Sequence, residues 1–295
     1  MRILITGADG MLGTDVRECL ADHDVTSATR QALDVTDATA VRHAVAGHDV
    51  VINAAAFTNV DAAEENEELA YQVNAEGARY LAEACKSSGA RLVQISTDYV
   101  FDGTSTVPYS EDAELHPLSS YGRSKAAGER FVRDFYPEGS IVVRTAWLYG
   151  KAGPNFAATM LRLAATKDTV DVVTDQRGQP TWTRDLAEHI RQLLEQYASP
   201  GIYHGTNTGE TTWFEFARAV YAECGLDPER IRPTDSASFV RPAPRPQNSV
   251  LAHEAWHAIR LEPMRPWRDA LSDAVRSGVF DEQRRHLRRD APDLS

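Results

Sequence analysis

A short strand that runs straight into three spaced glycines and then into a helix restricts this chain more than any other feature. Arg2–Thr6 is an apolar, β-prone run, and Gly7-Ala-Asp-Gly10-Met-Leu-Gly13 follows it at once. A helical pattern begins at Met11. Glycines let a backbone approach a pyrophosphate closely, and a helix N-terminus offers unpaired amides and a positive partial charge. The spacing is GxxGxxG, not the GxGxxG of the general dinucleotide fingerprint. An ordinary strand-to-helix turn would need no such density of glycine, so the context favours a dinucleotide ligand over a simple turn.

The rest of the first half repeats the strand–helix alternation. Strands are expected at Val25–Ala28, Asp49–Asn53, Arg91–Ser96 and Ile141–Thr145, and helices at Met11–Ala21, Ala38–Ala46, Glu68–Ser87 and Ser120–Phe135. Alternation at this spacing predicts an α/β fold with a doubly wound, Rossmann-like parallel sheet covered by helices on both faces. Ile3-Leu4-Ile5 and Val50-Val51-Ile52 are continuously apolar, as strands buried on both faces require. After Gly150 the pattern loosens. Helices are expected at Asn155–Ala165, Thr183–Tyr197, Thr212–Cys224 and Pro266–Ser277, with short strands at Val170–Val173 and Gly201–Gly205. The division is a dinucleotide-binding domain over residues 1–150, to which later segments can return, and a smaller, mainly substrate-binding C-terminal domain over 151–295. Arg241-Pro-Ala-Pro-Arg-Pro-Gln-Asn248 is too rich in proline for an interior strand or helix and reads as a loop tied to the surface.

Charge narrows the ligand classes. The 295 residues carry 43 acidic and 31 basic side chains, a net charge of -12. Such a chain is a poor nonspecific partner for nucleic acid or an anionic membrane. No apolar run approaches the roughly 20 residues of a membrane span, and the N-terminus lacks the apolar core of a secretory signal. Cys19, Cys85 and Cys224 are far apart, with no CxxC or Cys/His cluster, so neither a zinc site nor a disulfide framework is expected. A cytoplasmic location follows.

Two further constellations carry chemistry. Near the end of the second strand, where an NAD-binding chain places an acid on the ribose hydroxyls, this one reads Ser27-Ala28-Thr29-Arg30. Arg30 can pair with a 2′-phosphate instead, which points to NADPH. Farther on, Tyr121 and Lys125 stand at i and i+4, one face of a helix. The ammonium is expected to lower the phenol's pKa toward working pH. Ser96-Thr-Asp-Tyr-Val-Phe101 ends a strand, and strand C-termini face the ligand crevice in a doubly wound sheet. Thr97 is thereby expected beside Tyr121.

These residues, together with Asn53-Ala-Ala-Ala-Phe-Thr58, Val73-Asn74, Arg144-Thr-Ala-Trp-Leu-Tyr149, Asp175-Gln-Arg-Gly-Gln-Pro180 and Arg245-Pro-Gln-Asn-Ser249, make the chain similar to the extended short-chain dehydrogenase/reductase family. The likeness runs over almost the whole chain. It resembles the members that reduce the C4 ketone of a nucleotide-linked 4-keto-6-deoxyhexose with NADPH. The resemblance implies Tyr121 as proton donor, Lys125 on the nicotinamide ribose and Thr97 hydrogen-bonded to the reacting oxygen, with Asp98 beside it. It places Gly7, Gly10, Met11, Leu12 and Gly13 at the pyrophosphate, Asp34 and Val35 at the adenine, and Ala54, Ala55 and Ala56 along the cofactor. Trp147 is implied to pack on the sugar, with a core aromatic as the alternative.

Other readings share parts of this pattern. A ketoreductase for a different deoxysugar is the nearest, since the motifs do not fix the stereochemistry at C4. A sugar-nucleotide 4-epimerase would use the same three residues with tightly held NAD. A noncatalytic NADP-binding regulatory subunit would not need them intact. NADH is the second cofactor candidate, because the family includes members that accept both. Some members carry Mg2+ at a glutamate-lined dimer contact. Glu64, Glu65, Glu67 and Glu68 form an acidic run, but a solvated helix start explains it equally, so no metal is assigned. A homodimer is left open.

Overall fold

A computed structural model describes residues 1–289 of the chain, with side chains through residue 285. Six parallel strands form the central sheet: β1 (Arg2–Thr6), β2 (Asp24–Ala28), β3 (Val50–Asn53), β4 (Arg91–Thr97), β5 (Ser140–Thr145) and a sixth strand, Gly201–His204. The spatial order is sixth strand–β5–β4–β3–β1–β2. The order reverses between β1 and β3, and a crevice opens outside the carboxyl ends of strands at such a switch point.

Alternate residues of each strand feed opposite faces. Ile3, Ile5, Ile52 and Val93 pack against α1 (Met11–Cys19) and a later helix, Thr183–Glu195, through Val16, Leu186 and Ile190. Leu4, Val51 and Leu92 pack against α2 (Ala38–Val45) and the layer beyond it through Val41, Leu81 and Val132. Both faces are therefore dry, which is why these strands read as unbroken apolar runs.

The helical stretch expected at Glu68–Ser87 is three pieces. After α3 (Val60–Glu65) come α4 (Glu67–Tyr71), a π-helical turn (Gln72–Glu76) and α5 (Gly77–Ser88). The turn places Asn74 inward: its amide accepts from Phe57 N at 2.8 Å and donates to Ser124 Oγ at 2.9 Å. Next, α6 (Ser120–Phe135) passes so close that a side chain on Gly128 would strike the Asn74 carbonyl. Periodicity could not show this bulge, because it is set by contacts with α6.

Beyond β5 the chain contributes to two cores. One is separate from the sheet: α7 (Phe156–Thr166), α9 (Trp213–Glu223) and α11 (Trp267–Arg276) enclose Leu161, Phe216, Trp267 and Phe280. By contrast α8 (Thr183–Glu195), the sixth strand and α10 (Glu254–Ala258) return to the sheet, with Trp256 fully buried in its first core. The Pro-rich segment 241–248 is a strap knitted to other parts of the chain. Arg245 pairs with Asp61 at 2.6 Å, Asn248 donates to Ser105 O at 2.8 Å, and a side chain on Gly103 would collide with Pro246. Among the described residues no helix is long and apolar enough to cross a membrane. Within the basic tail, the side chains of Arg288 and Arg289 lie outside the described residues.

Candidate active site

The carboxyl ends of β1–β5 open onto one cavity of about 740 Å³. Its first wall is the glycine turn. Gly7 has φ +64, and a Cβ there would lie 2.7 Å from Ala55 N, so only glycine lets β1 and β3 close at the switch point. A Cβ on Gly13 would strike the Gly7 carbonyl. A side chain on Gly10 would meet only the Gly7 carbonyl, at 3.2 Å, and would otherwise fill the cradle. No side chain caps α1, so its first-turn amides remain available to a ligand. This donor set suits a pyrophosphate.

The same wall continues through Arg30, Asp34, Val35 and Ala54–Ala56. Arg30 is exposed at the cavity rim and makes no ion pair among the described residues. Asp34 accepts from Thr36 N at 2.9 Å and Thr36 Oγ1 at 2.7 Å. Those bonds, with a smaller contribution from Arg30, hold its carboxyl below the usual carboxylate range.

Thr97, Asp98, Tyr121 and Lys125 also line this cavity. Thr97 ends β4, while Tyr121 and Lys125 share one face of α6, whose N-terminus is capped by Ser119. Lys125 Nζ donates to Ile95 O at 2.6 Å. Burial pushes its ammonium down to about 8, against an upward pull from Glu129. Burial pushes the Tyr121 phenol up to about 12, with Thr97 lowering it and Asp98 raising it. Burial, rather than the expected pull of Lys125, dominates the phenol and favours its neutral O–H form. Asp98 is buried, accepts from Thr97 Oγ1 at 2.9 Å, and is pushed up to about 6 by burial, opposed by the nearby Ser249 and Thr97 hydroxyls.

The opposite wall is aromatic. Trp147 follows β5 with φ +47, and its indole stacks on Trp213 at 3.5 Å between centroids and 9° between planes. A Cβ on Gly178 would lie 2.5 Å from the Trp147 ring, so the indole is wedged between Gly178 and Trp213. Trp213, contributed by α9, also touches Phe156 at 4.4 Å. Sequence reasoning missed Trp213. Its position at the start of α9 carries no motif, and its partner lies 66 positions away.

The acidic run after Asn59 has definite partners. Glu64 accepts from Ser120 N at 2.8 Å and Ser120 Oγ at 3.0 Å, bracing the start of α6, and Glu67 pairs with Arg123 at 2.9 Å. Asp22, His23 and Glu195 bring ligand atoms within 4.8 Å of one another, but Arg191 already pairs with both carboxylates at 2.7 Å, and none of the three lines the cavity.

Comparison with known proteins identifies the family. The family described as RmlD substrate binding domain matches residues 1–279. A dTDP-4-dehydrorhamnose reductase of Streptomyces griseus is 51% identical over 281 residues, covering 92% of each chain. A dTDP-4-keto-6-deoxy-D-glucose reductase of Streptomyces niveus is 47% identical over 277 residues, covering 92% of this chain and 96% of that one. The crystal structure of dTDP-4-dehydrorhamnose reductase from Bacillus anthracis in complex with NADP superposes with a TM-score of 0.89 at 37% identity, covering 94% of this chain and 99% of the other.

Proposed function

The chain belongs to the RmlD substrate binding domain family, and from that premise we propose that it reduces the C4 ketone of dTDP-4-dehydrorhamnose to give dTDP-L-rhamnose, with NADPH as donor. The observation that carries this reading is the convergence of Thr97, Tyr121 and Lys125 on the cavity that the glycine turn also lines. The pyrophosphate cradle and the proton donor thus face one volume.

Gly7, Gly10, Met11, Leu12 and Gly13 would hold the cofactor's pyrophosphate, Arg30 its 2′-phosphate, Asp34 and Val35 its adenine, and Ala54–Ala56 its length. When bound, NADPH supplies the hydride. The protein's task is to manage the charge that grows on the C4 oxygen. Tyr121, kept neutral by burial, donates its proton to that oxygen, and Thr97, turning its one hydroxyl proton away from Asp98, donates a hydrogen bond to it. The Lys125 ammonium then stabilises the phenolate left behind. Asp98 and Trp147 lie on the sugar side. Residues up to 150 carry the cofactor and the separate core around Phe216 carries the sugar nucleotide, with α8 and the sixth strand belonging to the first unit.

The relative named for dTDP-4-keto-6-deoxy-D-glucose favours a second reading, a ketoreductase for another dTDP-deoxysugar. Incubation of the purified protein with NADPH and dTDP-4-keto-6-deoxy-L-lyxo-hexose, with the product identified by NMR, separates the two. The proposal expects dTDP-L-rhamnose; its C4 epimer, or no NADPH oxidation above background, sinks it. A cytoplasmic location and a homodimer belong to the same reading. Leu69, Tyr71 and Leu118, all exposed apolar side chains, are what support pairing with a second copy.

A further inference from the structure

Behind the cavity lies a charged node that the chemistry above does not use. Tyr121, Lys125 and Glu129 recur every four residues along α6 and so share its inner face. Glu129 and Arg144 form an ion pair at 2.8 Å with both side chains only 2% exposed. Arg144 Nε lies 3.0 and 3.2 Å from the two carboxylate oxygens, and Ser96 Oγ donates to one of them. The remaining nitrogen of Arg144 donates to Glu111 O at 3.1 Å and to His204 Nε2 at 3.3 Å, while His204 Nδ1 donates to Ala252 O at 2.9 Å. The guanidinium also sits 5.0 Å over the Phe101 ring.

The placement of the node is what matters. Ser96 directly precedes Thr97 on β4. Arg144 lies on β5, three residues before Trp147. Glu129 lies one helical turn beyond Lys125. A single carboxylate therefore joins the three elements that deliver the candidate hydroxyl, acid, ammonium and aromatic wall. A buried pair is a poor way to gain stability alone, because the desolvation cost can exceed the Coulombic gain and a packed apolar pair often serves as well. We propose that Glu129 and Arg144 are positioning residues for the reduction: they fix the register of α6 against β4 and β5, so that Tyr121 and Lys125 meet Thr97, and keep a negative charge one turn from Lys125.

The inference rests on the proposed roles of Tyr121 and Lys125. Tyr121 and Glu129 flank Lys125 on its own helix, Asp98 after β4 lines the same cavity, and Arg144 from β5 faces Glu129 with His204 from the sixth strand behind it. His204 is held neutral, its pKa well below the usual histidine range through burial and then Arg144. Glu129 is the one that raises Lys125. Loss of its charge lets Lys125 give up its proton at lower pH.

The composition offers a direct probe, because the chain holds only four lysines, Lys86, Lys125, Lys151 and Lys167. All but Lys125 are exposed. Carbon-13 labelling of lysine therefore gives four resonances, and the one with the depressed midpoint, about 8, is Lys125. The test is the double variant Glu129→Gln with Arg144→Met, which leaves no buried charge unpaired. It should fold and bind NADPH as the wild type does. Its kcat should fall by about 10- to 100-fold, the cost of misplacing reacting groups by around an ångström, with little change in KM. In the cofactor-free protein the Lys125 midpoint should drop by about half a unit or more. Wild-type kcat and midpoint in the folded double variant would overturn the proposal, as would a loss of kcat matched by an equal loss of NADPH affinity. Should the double variant not fold, Arg144→Lys keeps the charge but not the two-nitrogen grip. It should lower kcat several-fold; because it adds a fifth, buried lysine it is read by kcat and not by the lysine titration, and unchanged kcat there overturns the positioning role. A wild type that reduces no dTDP-ketosugar ends the functional reading, while the lysine titration still decides whether Glu129 holds Lys125.

Discussion

The two walls of the cavity are built by different means. The wall of Gly7–Gly13, Arg30–Val35 and Ala54–Ala56 is assembled from turns that leave the first three strands, and it includes the glycine cradle and the uncapped first-turn amides of α1. The facing wall joins Trp147 after β5 and Trp213 from α9, with Gly178 packed against the Trp147 ring, and its surface is side-chain rings. A backbone wall works by close approach, so glycine and strand geometry define it. A ring wall works by shape, and its parts can come from anywhere in the chain. Changes on the first wall should register in cofactor affinity, and changes on the second in sugar affinity.

Tyr121 lies between the walls and should register in neither. Tyr121→Phe removes a neutral O–H that burial holds ready in the cavity that Thr97 also lines. It should lower kcat by about 10²–10⁴, the usual worth of a positioned acid, with the Kd for NADPH and the KM for the ketosugar both within a few-fold of wild type. Near-wild-type turnover would take Tyr121 out of the mechanism. A large change in either affinity would show that the two walls are coupled through it.

The backbone wall was readable in the sequence because its signal is local. The ends of four strands, β1 to β4, and the start of α6 carry most of the cofactor candidates between Arg2 and Lys125, and the sequence pattern places β1 and α6 to the residue. What could not be read depends on groups far apart in sequence. Trp213 meets Trp147, Glu129 meets Arg144 and Ser96, and Asn74 forces a π-helical turn by bonding to Phe57 and Ser124. The acidic run at Glu64 resembled a solvated helix start because its partner, Ser120, belongs to another helix. The Tyr121–Lys125 spacing was legible, but its electrostatics were not. Spacing predicts an ammonium lowering a phenol, whereas burial, invisible in sequence, raises the phenol and weakens the ammonium.

Arg30 sharpens the comparison on the first wall. It stands exposed at the rim without an ion pair among the described residues, and a guanidinium can hold a 2′-phosphate through two parallel bonds. Charge-assisted bonds contribute roughly 1.5–3 kcal/mol, or about 10- to 100-fold in affinity. The wild type should prefer NADPH to NADH by a factor in that range. Arg30→Ala should weaken NADPH, spare NADH and leave the ketosugar KM alone. Measured kcat/KM for both cofactors decides it. Equal loss with both, or a wild type that prefers NADH, refutes the assignment and favours the epimerase-like alternative with bound NAD.

The smallest effect is expected on the second wall, and it is the most informative about how that wall is held. Trp147 occupies a left-handed backbone conformation that side-chain-bearing residues rarely adopt. Its indole is kept there by Gly178 on one side and Trp213 on the other. Trp213→Leu keeps an apolar side chain against Phe156 but removes the stack, which is worth about 0.5–1.5 kcal/mol beyond area burial. If the pair presents one ordered ring surface to the sugar, the ketosugar KM should rise by about 2- to 10-fold while the Kd for NADPH stays put. Trp147→Ala should raise KM further, since it removes the ring itself. A Trp213→Leu variant that binds the ketosugar more tightly would mean the opposite arrangement, in which Trp213 covers the face of Trp147 that the sugar needs and must leave before it binds. A variant that loses NADPH affinity in step with sugar affinity would erase the distinction between the walls. Steady-state KM for the ketosugar alongside fluorescence titration of NADPH, on the same two variants, separates these outcomes.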